Sequence, residues 1–324
     1  MPYRIATGAG LAMTLGLMPA AYAVNGFQMI GFGEYQIGTG GAVTASPASA
    51  MTALTNPAGL TRVGERADFS MEAFMPSVHI DTTRSAFSGG GASPGEKVQS
   101  SGDFYGIPSI GWVARTSVDN LYFGGGMYAT AGLGADFGSV DMNSGGVSFN
   151  GYSNVGIFRI SPAVGYQLNP AVSIGLAVNI NMLQLGFRET LSNAGPYDFN
   201  FDLGRAGQSF GVGATLGILV DVVPQRLRLG GSYTTSNNFR DTSFRLAAGD
   251  IDNTNMLIEG PTGVAPKGDY DAAFDFPQQA AIGLAYTPGA RLTLSADVKW
   301  IAYSDTLTNF YVSGPTGVYN LKPG

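Results

Sequence analysis

The chain has 324 residues, room for one large or two ordinary domains, with 48 glycines, no cysteine, 12% charged residues and a formal net charge of −6. Low charge argues against a disordered chain, an acidic balance gives no electrostatic case for nucleic acid, and the absence of cysteine removes disulfide frameworks and thiolate metal sites. No glycine recurs at every third position, so collagen is excluded, and many glycines with many aromatics and no long apolar run leave a β-rich membrane protein.

In chain order, residues 1–23 read as a secretory signal. Arg4 supplies the positive start, "IATGAGLAMTLGLM" a short apolar stretch broken by glycines, and "AYA" (21–23) a small-x-small cleavage site. That stretch is too short to span about 30 Å of hydrocarbon. Removing it leaves 16 basic against 23 acidic side chains.

Residues 24–62, "VNGFQMIGFGEYQIGTGGAVTASPASAMTALTNPAGLTR", have no regular apolar period. Their small residues let backbones approach closely, and Pro47 and Pro57 interrupt helix and ladder alike. The segment is expected to be a compact plug, or hatch, inside a wider barrel.

Strands are expected through 63–324, because apolar residues alternate with others at period two. In "AVSIGLAVNINM", Val172, Ile174, Leu176, Val178, Ile180 and Met182 oppose Ser173, Gly175, Ala177, Asn179 and Asn181. "GVGATLGILVD", "RLRLGGSYT" and "QAAIGLAYT" repeat the pattern at 211–221, 226–234 and 279–287. In "RLTLSADVKWIAY", Leu292, Leu294, Ala296, Val298 and Trp300 oppose Arg291, Thr293, Ser295, Asp297 and Lys299. Runs of about nine to twelve residues suit tilted strands crossing a bilayer, whereas soluble strands run about five or six. Turn-like connectors (168–171, 221–226, 287–290) alternate with long polar segments (88–103, 137–154, 246–271), the asymmetry of an outer-membrane barrel. A soluble β-sandwich also alternates, but its polar face should carry more Lys, Glu and Thr. Here the non-apolar face is often Gly or Ala, as an interior crowded by another segment requires.

With these motifs in order, the chain resembles the FadL/TodX family of outer-membrane transporters for long-chain fatty acids and aromatic hydrocarbons. The resemblance rests on "NGFQMIGFGEYQIGTGGAVTA…NPAGLTR", "IPSIGWVAR", "YATAGLGADFG", "ISPAVGYQLNPAVSIGLAVNI", "LRLGGSYTTSNNFR" and "FPQQAAIGLAY…LSADVKWIAYSD". It implies an all-β, antiparallel, fourteen-stranded transmembrane barrel with an N-terminal hatch in the lumen. It also implies uptake by binding and hatch rearrangement, with lateral release through a wall opening beside an inward strand kink. The hatch motif falls on Asn56, Pro57 and Ala58, and Arg188 in "QLGFRETL" lies near the position of a basic lumen residue that meets a carboxylate. The chain stops at "VYNLKPG" without a final aromatic strand, so nine or ten strands are expected and the barrel is C-terminally incomplete by the family's standard.

Transport of an apolar cargo needs an apolar pocket and a few orienting polar groups, not a catalytic residue. Arg188 and the inward pair Asp297 and Lys299 are the candidates for a head group; a salt-bridged lumen wall or an interfacial charge at a strand end is the competing role for all three. Phe27, Met29, Ile30 and Phe32 fit either of two roles, lining a ligand pocket or packing the plug against the wall. No enzyme is expected: His79, the single histidine, stands beside Asp81 with no nucleophile motif, and "GLGADFG" (132–138) is no phosphate loop. No metal or other cofactor is expected, and Asp250 and Asp252 read as solvated loop charges in preference to an external Ca²⁺ site. The partners implied are a hydrophobic small molecule, outer-membrane lipid and lipopolysaccharide, for a monomer. A passive porin or an adhesion barrel shares the strands and the export signal but has no use for a Gly/Ala-rich plug.

Overall fold

The computed structural model describes residues 26, 28–81, 97–102, 104–142, 146–193, 199–202, 208–246, 268–289, 291–306, 310–314 and 317–321. The segment 1–23 read as an export signal, Phe27, Asp250 and Asp252 lie outside the described residues.

Period-two patterning produces strands throughout. They are β1 (Arg66–Phe74), β2 (His79–Asp81), β3 (Lys97–Gln99), β4 (Tyr105–Arg115), β5 (Leu121–Asp141), β6 (Ser148–Gln167), β7 (Val172–Ser192) and β8 (Phe199–Asp202). Then follow β9 (Gln208–Val223), β10 (Leu227–Thr234), β11 (Asn237–Leu246), β12 (Gly268–Phe276), β13 (Gln279–Gly289), β14 (Leu292–Ile301), β15 (Phe310–Gly314) and β16 (Gly317–Leu321). One sheet runs β1-β4-β5-β6-β7-β9-β10-β13-β14 with β8 added on β7; a second runs β11-β12-β15-β16, and β2 pairs with β3. Every pairing is antiparallel and mostly between chain neighbours, the topology of an up-and-down barrel wall. The two sheets follow one another along the same ribbons. The ladder passes from Thr234↔Gln279 to Asn237↔Phe276 across a break that contains Pro277, which has no N–H to give.

The two faces of the sheet divide as the alternation requires. Ile174, Leu176, Val178 and Ile180 stand exposed on one face of β7, as do Leu292, Leu294, Val298 and Trp300 on β14. Val298 is 77% exposed and Ile282 71%, an apolar outer face that suits lipid rather than water. On the inner face Ser173, Ala177, Asn179 and Asn181 are fully buried.

The short connectors fall at one end. Asn120 and Gln225 take the left-handed conformation there (φ 63° and 61°), and the Asn169 side chain accepts from the amides of Ala171 and Val172. At the other end the segment 137–154, expected as a long polar loop, is mostly strand: β5 runs to Asp141 and β6 starts at Ser148. Ladder pairing of Asp136, Ser139, Val140 and Asp141 with Tyr152, Asn150, Phe149 and Ser148 satisfies this polar backbone, so hydrogen bonding outweighs composition. At 3.3 Å per residue, the 21 residues of β5 or β7 reach about 70 Å, well past a bilayer.

Inside the curve lies the N-terminal segment. It folds as short pieces, α1 (Gly33–Gly38), α2 (Thr52–Thr55), a 3₁₀ turn (Pro57–Gly59) and α3 (Leu60–Val63), followed directly by β1. Ala50, Ala53 and Leu60 form its buried core together with Val113 of β4, Ala163 of β6 and Ala177 of β7.

Candidate functional site: a wall-seated hatch and the cavity beneath it

The hatch is fixed first by shape. Gly165, Gly175 and Gly217 stand directly opposite one another on β6, β7 and β9, and Gly230 faces Gly283 across β10 and β13. The hatch backbone lies on these bare positions. A Cβ on Gly175 would overlap the Ala58 amide, one on Gly217 the Asn56 side chain, and one on Gly230 the Thr44 carbonyl. The glycines on the inner face are therefore the complement of the hatch motif.

Asn56 locks the fit. It is fully buried, its Nδ2 donates to Thr44 O (2.7 Å) and Ile218 O (3.0 Å), and its Oδ1 accepts from Ala58 N (3.2 Å), capping the turn that Pro57 starts. One side chain thus ties two parts of the hatch to each other and to β9. Inward carboxylates add charged acceptors. Asp68 Oδ2 takes the Ala50 amide (2.7 Å), Glu72 Oε1 the Gly33 amide (2.9 Å), and Asp297 Oδ2 the amides of Val43 (3.0 Å) and Thr44 (2.9 Å). Arg62 reaches Asp221 at 3.0 Å.

Beneath the first half of the hatch is a cavity of about 300 Å³. Met29, Ile30 and Phe32 line it from the hatch; Arg159, Thr234, Phe276, Asp297 and Lys299 line it from the wall. Phe32 packs on Tyr128 with ring centroids 4.4 Å apart. Arg159 is the unusual group. It is 2% exposed, its Nε donates to Asn181 Oδ1 (2.7 Å), its guanidinium lies 5.6 Å over the Phe276 ring, and its Nη2 has no hydrogen-bond partner. The buried Tyr128 hydroxyl lies beside Arg159 and Ser161. Asn181 in turn donates to Asn237 (2.9 Å), while Ser161, Asn179, Thr215 and Thr234 form a second chain of side-chain hydrogen bonds across four strands. These two chains leave Arg159 Nη2 without a hydrogen-bond partner.

A second cavity of about 260 Å³, chiefly apolar, opens between β4 and β5. The two strands pair from Arg115↔Tyr122 to Ser109↔Tyr128 and then part, although β4 continues against β1 to Tyr105 and β5 against β6 to Asp141. Pro108 stands on β4 where the pairing stops, and it brings no N–H. On β5 a bulge leaves Thr130 out of the β6 ladder. The hatch supplies the missing neighbour: Gln28 bridges Ala131, and Met29 N donates to Thr130 O (3.0 Å). Met29 lines both cavities, and the second one runs out to Phe158 on the outer face.

The sequence-derived candidates fall in different places. Met29, Ile30, Phe32 and Lys299 share the first cavity; Asn56, Pro57 and Ala58 form the glycine-seated turn. Arg188 lines neither cavity. It is exposed on the face of β7 that carries Ile174 and Ile180, with its guanidinium 6.0 Å from the Tyr152 ring. His79 sits on β2 opposite Gln99, and Asp81 lies 3.8 Å from Lys97. Arg159 was not foreseen. The signal was present, since in "IFRIS" the arginine alternates with two outward apolar residues and so must face inward.

The sequence profile of the outer membrane protein transport proteins (OMPP1/FadL/TodX) matches residues 12–315. No curated protein sequence matches. Among solved structures, the toluene transporter TbuX of Ralstonia pickettii superposes with a TM-score of 0.64 at 19% identity, over 92% of this chain and 79% of that one. The toluene transporter TodX of P. putida gives 0.62 at 19% identity, over 91% and 76%. A FadL homologue from Pseudomonas aeruginosa gives 0.60 at 17% identity, over 90% and 73%. These likenesses show the shared fold, and the profile match shows the membership. Hatch, glycine-lined wall, interrupted strand pair and profile together make this chain a member of the OMPP1/FadL/TodX family of Gram-negative outer-membrane transport proteins.

Proposed function

We propose that the hydrophobic compounds this protein takes up across the outer membrane carry an anionic head group, as long-chain fatty acids do. The observation that carries the reading is the buried, partnerless Nη2 of Arg159 in a cavity that also holds Lys299. A buried charged donor without an acceptor is costly, and a cargo carboxylate supplies one in a charge-assisted, bidentate geometry. Met29, Ile30 and Phe32 meet the apolar tail. Met29 stands between this cavity and the apolar one at the β4–β5 gap, and we read that gap as the lateral exit toward lipid. Lipid and lipopolysaccharide are the expected surroundings of the exposed apolar outer face of a monomer.

A second reading is uptake of a neutral aromatic hydrocarbon. It is favoured by the aromatic groups Phe32 and Phe276 lining the same cavity and by the toluene transporters among the structural relatives. Calorimetric titration of the purified protein with oleate, methyl oleate and toluene separates the two. A hydrogen bond to a charged group contributes about 1.5–3 kcal/mol, so Arg159→Met should weaken oleate about 10- to 100-fold and leave methyl oleate nearly unchanged. Equal binding of oleate and its ester by the native protein refutes the carboxylate reading.

A further inference from the structure

On the head-group reading above, we infer that Asn181 is a specificity-determining residue for the cargo. It holds Arg159 in place without cancelling its charge, and so leaves the cavity beneath the hatch selective for an anion.

The arginines that brace hatch and wall are paired with carboxylates: Arg62 and Arg228 with Asp221, and Arg66 with Asp68. Arg159 is held differently. Its Nε donates to the Asn181 carboxamide (2.7 Å), and its neighbours Tyr128 and Ser161 are neutral too. An arginine has donors only, so it sets the direction of every link behind it. Asn181 turns Oδ1 to the guanidinium and Nδ2 away. That Nδ2 donates to Asn237 Oδ1 (2.9 Å), and Asn237 Nδ2 faces the Thr235 carbonyl (3.5 Å). The relay ends on backbone and carries no charge at any link.

The wall is shaped for this relay. Asn181 and Asn237 are both fully buried, and Asn237 passes over β9 at Gly213, where a Cβ would overlap its Oδ1. Asn237 is also the ladder partner of Phe276. One rung beside the Pro277 break therefore supplies both the ring that covers the guanidinium and the amide that orients Asn181.

Two cations, Arg159 and Lys299, and one carboxylate, Asp297, line the cavity, so one positive charge is left to meet a cargo anion. A carboxylate at position 181 would remove it. It would bring two oxygens where the carboxamide brings one, taking Nε and Nη2 together, and it would repel a second carboxylate arriving beside it. A neutral ester has no charge for that repulsion to act on.

The test is calorimetric titration of the purified full chain with oleate and methyl oleate. Asn181→Asp is isosteric with the native residue. It should weaken oleate about tenfold or more and leave methyl oleate within about threefold, so that the native preference for oleate disappears. Asn237→Asp puts the charge one link further from the guanidinium and should weaken oleate about threefold. An Asn181→Asp protein that keeps the native preference overturns the role of Asn181 and leaves the head-group reading standing. So does one that loses oleate and ester alike, which marks a purely structural role. Equal binding of oleate and ester by native protein overturns both. Should Asn181→Asp not fold, Asn237→Asp decides by the same ratio, and an undiminished preference for oleate overturns the role of the relay.

Discussion

Replacing Asn56 by alanine removes three hydrogen bonds from a fully buried site, two to backbone carbonyls and one from the Ala58 amide. At about 1 kcal/mol net each, the loss is about 3 kcal/mol, and an Ala58 amide left without its cap adds about 1 kcal/mol. The cost falls on hatch docking rather than on the wall, because the Ile218 backbone keeps its ladder partner Gly231 on β10. A loss of 3–4 kcal/mol shifts the docked-to-undocked ratio by roughly a hundred- to a thousandfold. Hydrogen exchange read by mass spectrometry reports this directly. Amides of 52–61 should exchange at least a hundredfold faster in Asn56→Ala, while those of β6, β7 and β9 are unchanged. Asn56→Asp keeps the capping oxygen but sets a negative charge against two carbonyl oxygens, so it should be no milder than alanine. A threefold effect or less, or equal loosening of hatch and wall, would refute the assignment of Asn56 as the lock.

The glycine seat gives a second prediction. Gly175→Leu should leave the wall intact, because its strand neighbours keep their pairing, yet displace the Pro57–Ala58 turn and raise ion conductance at least tenfold in bilayers. A closed, normally conducting Gly175→Leu protein would show that the hatch does not need the bare wall. At the gap, Pro108→Thr restores a backbone N–H where the β4–β5 ladder stops. Uptake of labelled oleate by a host lacking its own transporter should fall several-fold, with outer-membrane yield unchanged. Undiminished uptake would place the exit elsewhere.

Much of the wall was legible in the sequence because a strand writes its two environments into alternate residues. Ile174, Leu176, Val178 and Ile180 against Ser173, Gly175, Ala177 and Asn179 fixed lipid face and hatch face at once. The glycines on the second face also announced that something packs there, and it is the hatch backbone. Counting by two reaches further than motif likeness. Carried along β7 from Ile174 it puts Arg188 on the outer face, and carried back along β6 from Ile160 it puts Arg159 inside. What the sequence withheld are relations between distant segments. That Asp297 binds amides 254 and 253 residues away, or that Gln28 takes the place of β4 beside β5, depends on how the sheet curls and where it bulges. Polar loop composition misled at 137–154 for a related reason, since a ladder partner supplies what solvent otherwise would.

The bare positions under Asn56–Ala58 are flanked along β7 by Ser173 and Ala177, and along β9 by Thr215 and Leu219, all buried and all bearing a Cβ. A stopper resting in such a notch has no neighbouring notch to step into, one register up or down. Where uptake proceeds by rearrangement of the hatch, a stopper so seated would lift out of its notch rather than glide along the bore.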